Sequence, residues 1–199
     1  MREPRVRRFL GAVAIFLTAL ALQRACTLPW GSGGTVAGQY RLTVVGLTRL
    51  HAPGDGAVVD CRWWPRYGDA SLCAVAPDAA AAFERLRLAY PLLQVGLWLS
   101  VASLLLQALR VPRSRLAQAL LPAAVAAAAA TAILFVRDGA EQALASLRAI
   151  PIHFAGAGFV AAVVAAVLAV ASTVLVASAP WPEAPPPPPP PPTPTPTPK

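Results

Sequence analysis

The chain has 199 residues, of which 56% are hydrophobic, 7% aromatic and only 13% charged, where soluble domains carry roughly 25% charged residues. With a mean hydropathy of +0.56, this composition excludes a disordered chain and argues against a soluble enzyme. The 17 basic and 9 acidic residues leave a net charge of +8. The arginines lie mostly between apolar runs, where they orient a membrane protein rather than contact nucleic acid.

The chain opens on Arg2, Arg5, Arg7 and Arg8, a basic cytoplasmic segment over residues 1–8. The apolar run Phe9 to Leu22 follows, short of the ~20 residues a span needs. Extension through residue 28 completes a first span (9–28) and places Gln23 and Arg24 at the outer interface, with Arg24 snorkelling. A cleaved signal peptide with Ala19-Leu20-Ala21 as its site is the competing reading.

Residues 29–89 form the one sizeable extramembrane segment and hold Cys61 and Cys73, with Cys26 just before it. Gln39 to Leu50 alternates as a strand, Ala52 to Gly56 reads as a turn, and Ala57-Val58-Val59 begins a second strand, giving a hairpin. Cys61 and Cys73 flank the Tyr67-Gly68-Asp69 turn in an oxidising compartment, so a disulfide is expected, worth roughly 3 kcal/mol in the chain-entropy picture. The alternative is two reduced, buried thiols, and Cys26 is left over. Asp78 is placed to cap a helix running from Ala79 to Leu88, continuous with the next span or kinked at Pro91.

Three uncharged or nearly uncharged runs follow: residues 90–109, 116–136 and 154–179. Each is long enough to cross a ~30 Å hydrocarbon core as a helix, and none alternates as a barrel strand would. The linker 110–115 carries Arg110, Arg113 and Arg115 with no acid, whereas 137–153 balances Arg137 and Arg148 against Asp138 and Glu141. The positive-inside rule then puts both termini and 110–115 in the cytoplasm, and 29–89 and 137–153 outside. Residues 180–199, with an unbroken proline run from Pro185 to Pro192, form a disordered cytoplasmic tail. It is either a spacer or a ligand for a proline-binding cytoplasmic partner. The arginine, alanine and proline bias, with Lys199 the single lysine, is that of a GC-rich coding sequence and points to a bacterial inner membrane.

The fold class is therefore membrane all-α: a bundle of four transmembrane helices carrying a small, disulfide-bonded, β-containing extracytoplasmic domain. The layout resembles the claudin and peripheral-myelin-protein group. The residues that carry the resemblance are Trp30 just after the first span, Gly56 and Cys61 at the spacing of the family's Gly-Leu-Trp-x-x-Cys, Cys73, and Arg85 and Arg87 before the second span. Ala57 and Val58 stand where the family has Leu and Trp, and Trp63 and Trp64 follow the cysteine instead. The resemblance implies a small sheet in the long first outer loop, a short second outer loop, and a first span that is retained.

Catalytic chemistry is not visible. The cores of the last three runs hold no charge of the kind that proton relays and transporters use, and Gln94, Gln107 and Gln118 suit helix–helix hydrogen bonds. His51 and His153 lack a second metal ligand at zinc spacing, and Asp55, Asp60 and Asp69 fit a solvated loop better than a cation site. No cofactor is expected. The expected function is a non-catalytic scaffold or adhesion protein that self-associates through its outer segment, with Trp30, Trp63, Trp64 and Tyr67 as interface anchors. The alternative for these aromatics, weighing equally for Trp30 and less for Trp63 and Trp64, is a belt at headgroup level or the outer segment's own small core. The alternative function is an accessory or sensor subunit of a membrane complex that docks through its tail.

Overall fold

The computed structural model describes residues 3–35, 38–50, 58–64, 80–108, 115–143 and 152–178. Four long helices account for most of them: α1 (Glu3–Thr27), α2 (Ala80–Ala108), α3 (Arg115–Ala143) and α4 (Ala157–Ser178). All four contain a stretch long and apolar enough to cross a membrane. By length and composition the chain is a four-span membrane protein. Helices are what such sequences must form, because hydrocarbon offers backbone amides and carbonyls no partner outside their own segment.

The helices pack in a ring, α1 against α2 and α4, and α3 against α2 and α4. The residues they turn inward recur at alternating steps of three and four. On α2 these are Ala82, Leu86, Ala89, Leu93, Gly96, Ser100 and Ser103. On α4 they are Gly158, Ala162, Ala165, Ala169 and Ser172. A repeat averaging 3.5 residues keeps one seam facing its neighbours. The seam residues are mostly small, which lets backbones approach closely where lipid removes the hydrophobic drive for association. The larger side chains point out: Phe9, Phe16 and Leu20 on α1, Trp98 and Leu105 on α2, and Val160, Val164, Val167 and Val174 on α4 are all exposed.

Helices α2 and α3 each have 29 residues, ~44 Å at ~1.5 Å per residue, against a hydrocarbon core of ~30 Å. The surplus stands at one end of the bundle. There α2 is one helix from Ala80 through Pro91, and α3 continues beyond Val136 to Ala143. Residues 137–143, expected as outer loop, are therefore helical. They run beside the start of α2, with Gly139 close to the Ala82 carbonyl and to Leu86. Asp78 lies outside the described residues.

A five-stranded antiparallel sheet sits at the same end. Its strands are β1 (Gly31–Thr35), β2 (Gly38–Leu42), β3 (Gly46–Leu50), β4 (Val58–Arg62) and β5 (Ile152–His153), in the order β4-β3-β2-β1-β5. The expected single strand from Gln39 to Leu50 is instead two strands and a tight turn. Thr43 and Gly46 close that turn: the Thr43 amide donates to the Gly46 carbonyl at 2.8 Å. The Gly46 amide donates to the Thr43 hydroxyl at 3.1 Å, and that hydroxyl donates to the Gly46 carbonyl at 2.9 Å. Strand β1 (Gly-Ser-Gly-Gly-Thr) has no strand-forming composition; it is held by β2 on one side and β5 on the other. Gly31 is required there, since a Cβ would lie 2.9 Å from both the His153 carbonyl oxygen and Ile152 Cγ2.

Candidate interaction surface on the sheet

The sheet is fastened to the bundle by aromatic side chains and by backbone bonds at the junction of α1, β1 and α4. Leu22 and Ala25 end the buried seam of α1, and the chain then turns through Leu28-Pro29-Trp30 into β1. The amides of Gly156 and Gly158, at the start of α4, donate to the carbonyls of Trp30 (3.1 Å) and Pro29 (2.8 Å). Helix starts leave amides without intrahelical partners, and here the preceding junction supplies acceptors. The approach is close enough that a Cβ on Gly156 would run into the Pro29 carbonyl, and one on Gly158 into the Leu28 carbonyl.

Trp30 and Trp63, expected as exposed interface anchors, are 0% and 1% exposed. Both belong to the core shared by sheet and bundle. The Trp30 indole nitrogen donates to the Ala25 carbonyl at 2.7 Å, and the ring meets Phe159 edge-on at 6.0 Å between centroids. The Trp63 indole nitrogen donates to the Val44 carbonyl at 2.8 Å. Buried indoles need such acceptors, and the hydrogen bonds consume the polar edge that an anchor would present to a partner. Trp64 is half-buried, with its ring 6.1 Å from Tyr90 of α2. Tyr67 and Cys73 lie outside the described residues, so the Cys61–Cys73 pairing lies outside them too. The backbone of Cys61 is in β4, opposite Leu47.

The register sorts the rest of the sheet by face. Directly opposed residues on neighbouring strands share a face. Leu42, Gly31 and Leu47 are buried on the bundle side. Ser32 is opposite both Arg41 of β2 and His153 of β5, and Arg41 is opposite Thr48 of β3. His153, Ser32, Arg41 and Thr48 therefore form one row across four strands. The first three are exposed and Thr48 is half-buried. Nothing in the linear sequence groups these residues; only the pairing of β1 with both β2 and β5 does. Arg62, at the end of β4, is also exposed.

Inside the bundle the hydroxyls of Thr18, Ser100 and Ser172 and the amide of Gln94 are engaged. Thr18 donates to Ala14 (2.8 Å) and Ser100 to Gly96 (2.9 Å), each to a carbonyl of its own helix. Ser172 of α4 donates to the Gly11 carbonyl of α1 at 3.3 Å, and Gln94 of α2 donates to Cys26 Sγ at 3.5 Å. These last two are helix–helix links, the role expected of Gln94. Above the span, Arg87 makes two 2.9 Å bonds to the Glu84 carboxylate. Among the described residues no three His, Cys, Asp or Glu side chains gather as a metal site.

No protein-family model matches the chain, and no curated protein matches it.

Proposed function

We propose that this is a non-catalytic scaffold or adhesion protein of claudin-like layout, which associates with further copies of itself through its outer sheet. One observation carries the reading: strands from both outer segments, β1 to β4 from the first and β5 from the second, join in one sheet seated on a four-helix bundle. The junction bonds of Gly156 and Gly158 and the buried indoles of Trp30 and Trp63 make the sheet a fixed extension of the bundle. A fixed platform pays little entropy on binding a partner. Because Trp30 and Trp63 are buried, the reading assigns self-association to the sheet's exposed face and edges. Strand β4 is the terminal strand of the order, and β5 covers only Ser32 and Gly33 of β1. Edges of this kind pair with other chains. The cytoplasmic placement of both termini, with the sheet outside a bacterial inner membrane, belongs to the same reading and rests on the arginine bias.

Site-directed crosslinking in intact membranes tests it. With Cys26 replaced by Ser, Arg62→Cys on β4 should give homo-oligomer bands, and Val167→Cys on the lipid face of α4 should give far fewer. A monomer at native abundance in both cases would overturn the scaffold reading in favour of an accessory subunit, whose fixed-stoichiometry partner would then co-purify in mild detergent.

A further inference from the structure

We infer that Arg41, Ser32 and His153 form a seat for a tetrahedral oxyanion, a phosphate or a sulfate group, on the exposed face of the sheet. Ser32 lies on β1, between β2 and β5, and is the cross-strand partner of both Arg41 and His153. Adjacent strands are ~4.8 Å apart, so the backbones of Arg41 and His153 stand ~10 Å apart with β1 between them. The residue between them is short and the two flanking side chains are long. Both can lean over Ser32, which leaves a recess with a hydroxyl floor and a nitrogen donor on each side. Thr48, next in the row beyond Arg41, adds a second hydroxyl.

The donor set fits that anion class. A guanidinium presents several N–H donors in one plane and pairs with oxyanions through two of them. The serine hydroxyl donates a third bond, and an imidazole N–H a fourth. The row contains no carboxylate. Among the described residues no ion pair involves Arg41 or His153, and no hydrogen bond occupies the side chains of Ser32, Arg41 or His153. Arg87, by contrast, is already engaged by Glu84. Gly34, two residues on from Ser32 and on the same face of β1, places no side chain beside the recess, so the anion can approach the sheet surface. The seat is built within one copy, from the two outer segments.

The full chain in phosphatidylcholine nanodiscs, titrated with inorganic phosphate at low ionic strength and followed by calorimetry, tests the seat. Binding should saturate at one anion per chain. Arg41→Gln should weaken it tenfold or more, His153→Gln and Ser32→Ala several-fold, and Arg62→Gln, on the same sheet outside the row, less than twofold. Circular dichroism and unchanged melting confirm that each variant folds. A second arm, co-sedimentation with phosphatidylglycerol vesicles, separates a free phosphate from a lipid headgroup: capture abolished by Arg41→Gln assigns the seat to a headgroup phosphate. Non-saturating phosphate binding without Arg41-dependent vesicle capture would overturn the proposal. So would an equal loss in Arg41→Gln and Arg62→Gln, which is the signature of diffuse charge.

Discussion

Gly158 donates its amide to the Pro29 carbonyl at 2.8 Å, and the same residue brings the first turn of α4 against the Leu28 carbonyl and the Trp30 ring. One contact thus ties the end of the first span, the entry to the sheet and the start of the last span. It explains why the glycine pair at 156 and 158 stands at the head of a helix built mostly of Ala and Val.

Gly158→Ala should therefore destabilise the protein. The added methyl meets backbone, which cannot rotate away, and overpacking of this kind costs ~1–3 kcal/mol. Gly11→Ala is the control, since its Cβ would sit at an ordinary 3.4 Å from Val176 Cγ2. Thermal unfolding in detergent should show a clear drop for the first and little change for the second. Equal melting of the two variants would refute the close approach.

Trp63 is buried, with its indole bonded to the Val44 carbonyl of the sheet's own turn, and its substitutions should show it. Trp63→Ala should cost ~3–5 kcal/mol, the usual range for emptying a large aromatic site. Trp63→Phe keeps most of the ring and gives up the bond to Val44, leaving that carbonyl without its indole donor, at ~1–3 kcal/mol. Trp98→Ala, on a side chain 67% exposed along the lipid face, should change stability by less than ~1 kcal/mol. Denaturation followed by tryptophan fluorescence ranks the three, and a Trp63→Ala protein as stable as wild type would contradict the burial.

Cys61 and Cys73 should form an intramolecular disulfide in an oxidising compartment. Alkylation with and without prior reduction, read by intact mass, should differ by two thiols. Full labelling without reductant would exclude the bridge.

The topology has its own measurement. Reporter fusions after Leu50 and Ala145 should read as extracytoplasmic, and those after Arg113 and Pro190 as cytoplasmic. An extracytoplasmic signal after Arg113 would reverse the orientation, because the arginines of 110–115 are its main determinant.

The spans were legible because an uncharged stretch of such length has few other fates. Their ends were less so. Arg137, Asp138 and Glu141 signal the water boundary, but they are tolerated in a helix, and α3 continues past them because Gly139 lets it lie on α2. Pro91 reads as a candidate kink, yet it sits inside a continuous helix. The sheet was half visible. Alternation over 39–50 announced extended chain, while the turn inside it depends on a side-chain bond at Thr43. The strand character of Gly31 to Thr35 exists only through its neighbours. An indole suits a core and a contact surface equally, so the sequence leaves Trp30 and Trp63 open between the two. What decides is whether an acceptor lies within reach, and the carbonyls of Ala25 and Val44 do.

The placement of small residues inside and valines outside has a genetic consequence. An alanine codon becomes a valine codon by one base transition. At Ala162, Ala165 or Ala169 that step inserts two methyl groups into a closed seam, whereas the reverse step at Val160, Val163 or Val167 removes them from a surface facing fluid lipid. A transition at the same codon position is thus a lesion on one side of α4 and tolerated on the other. Sequence drift in this helix should accordingly run with a seven-residue rhythm, fixed along the seam and free along the lipid face.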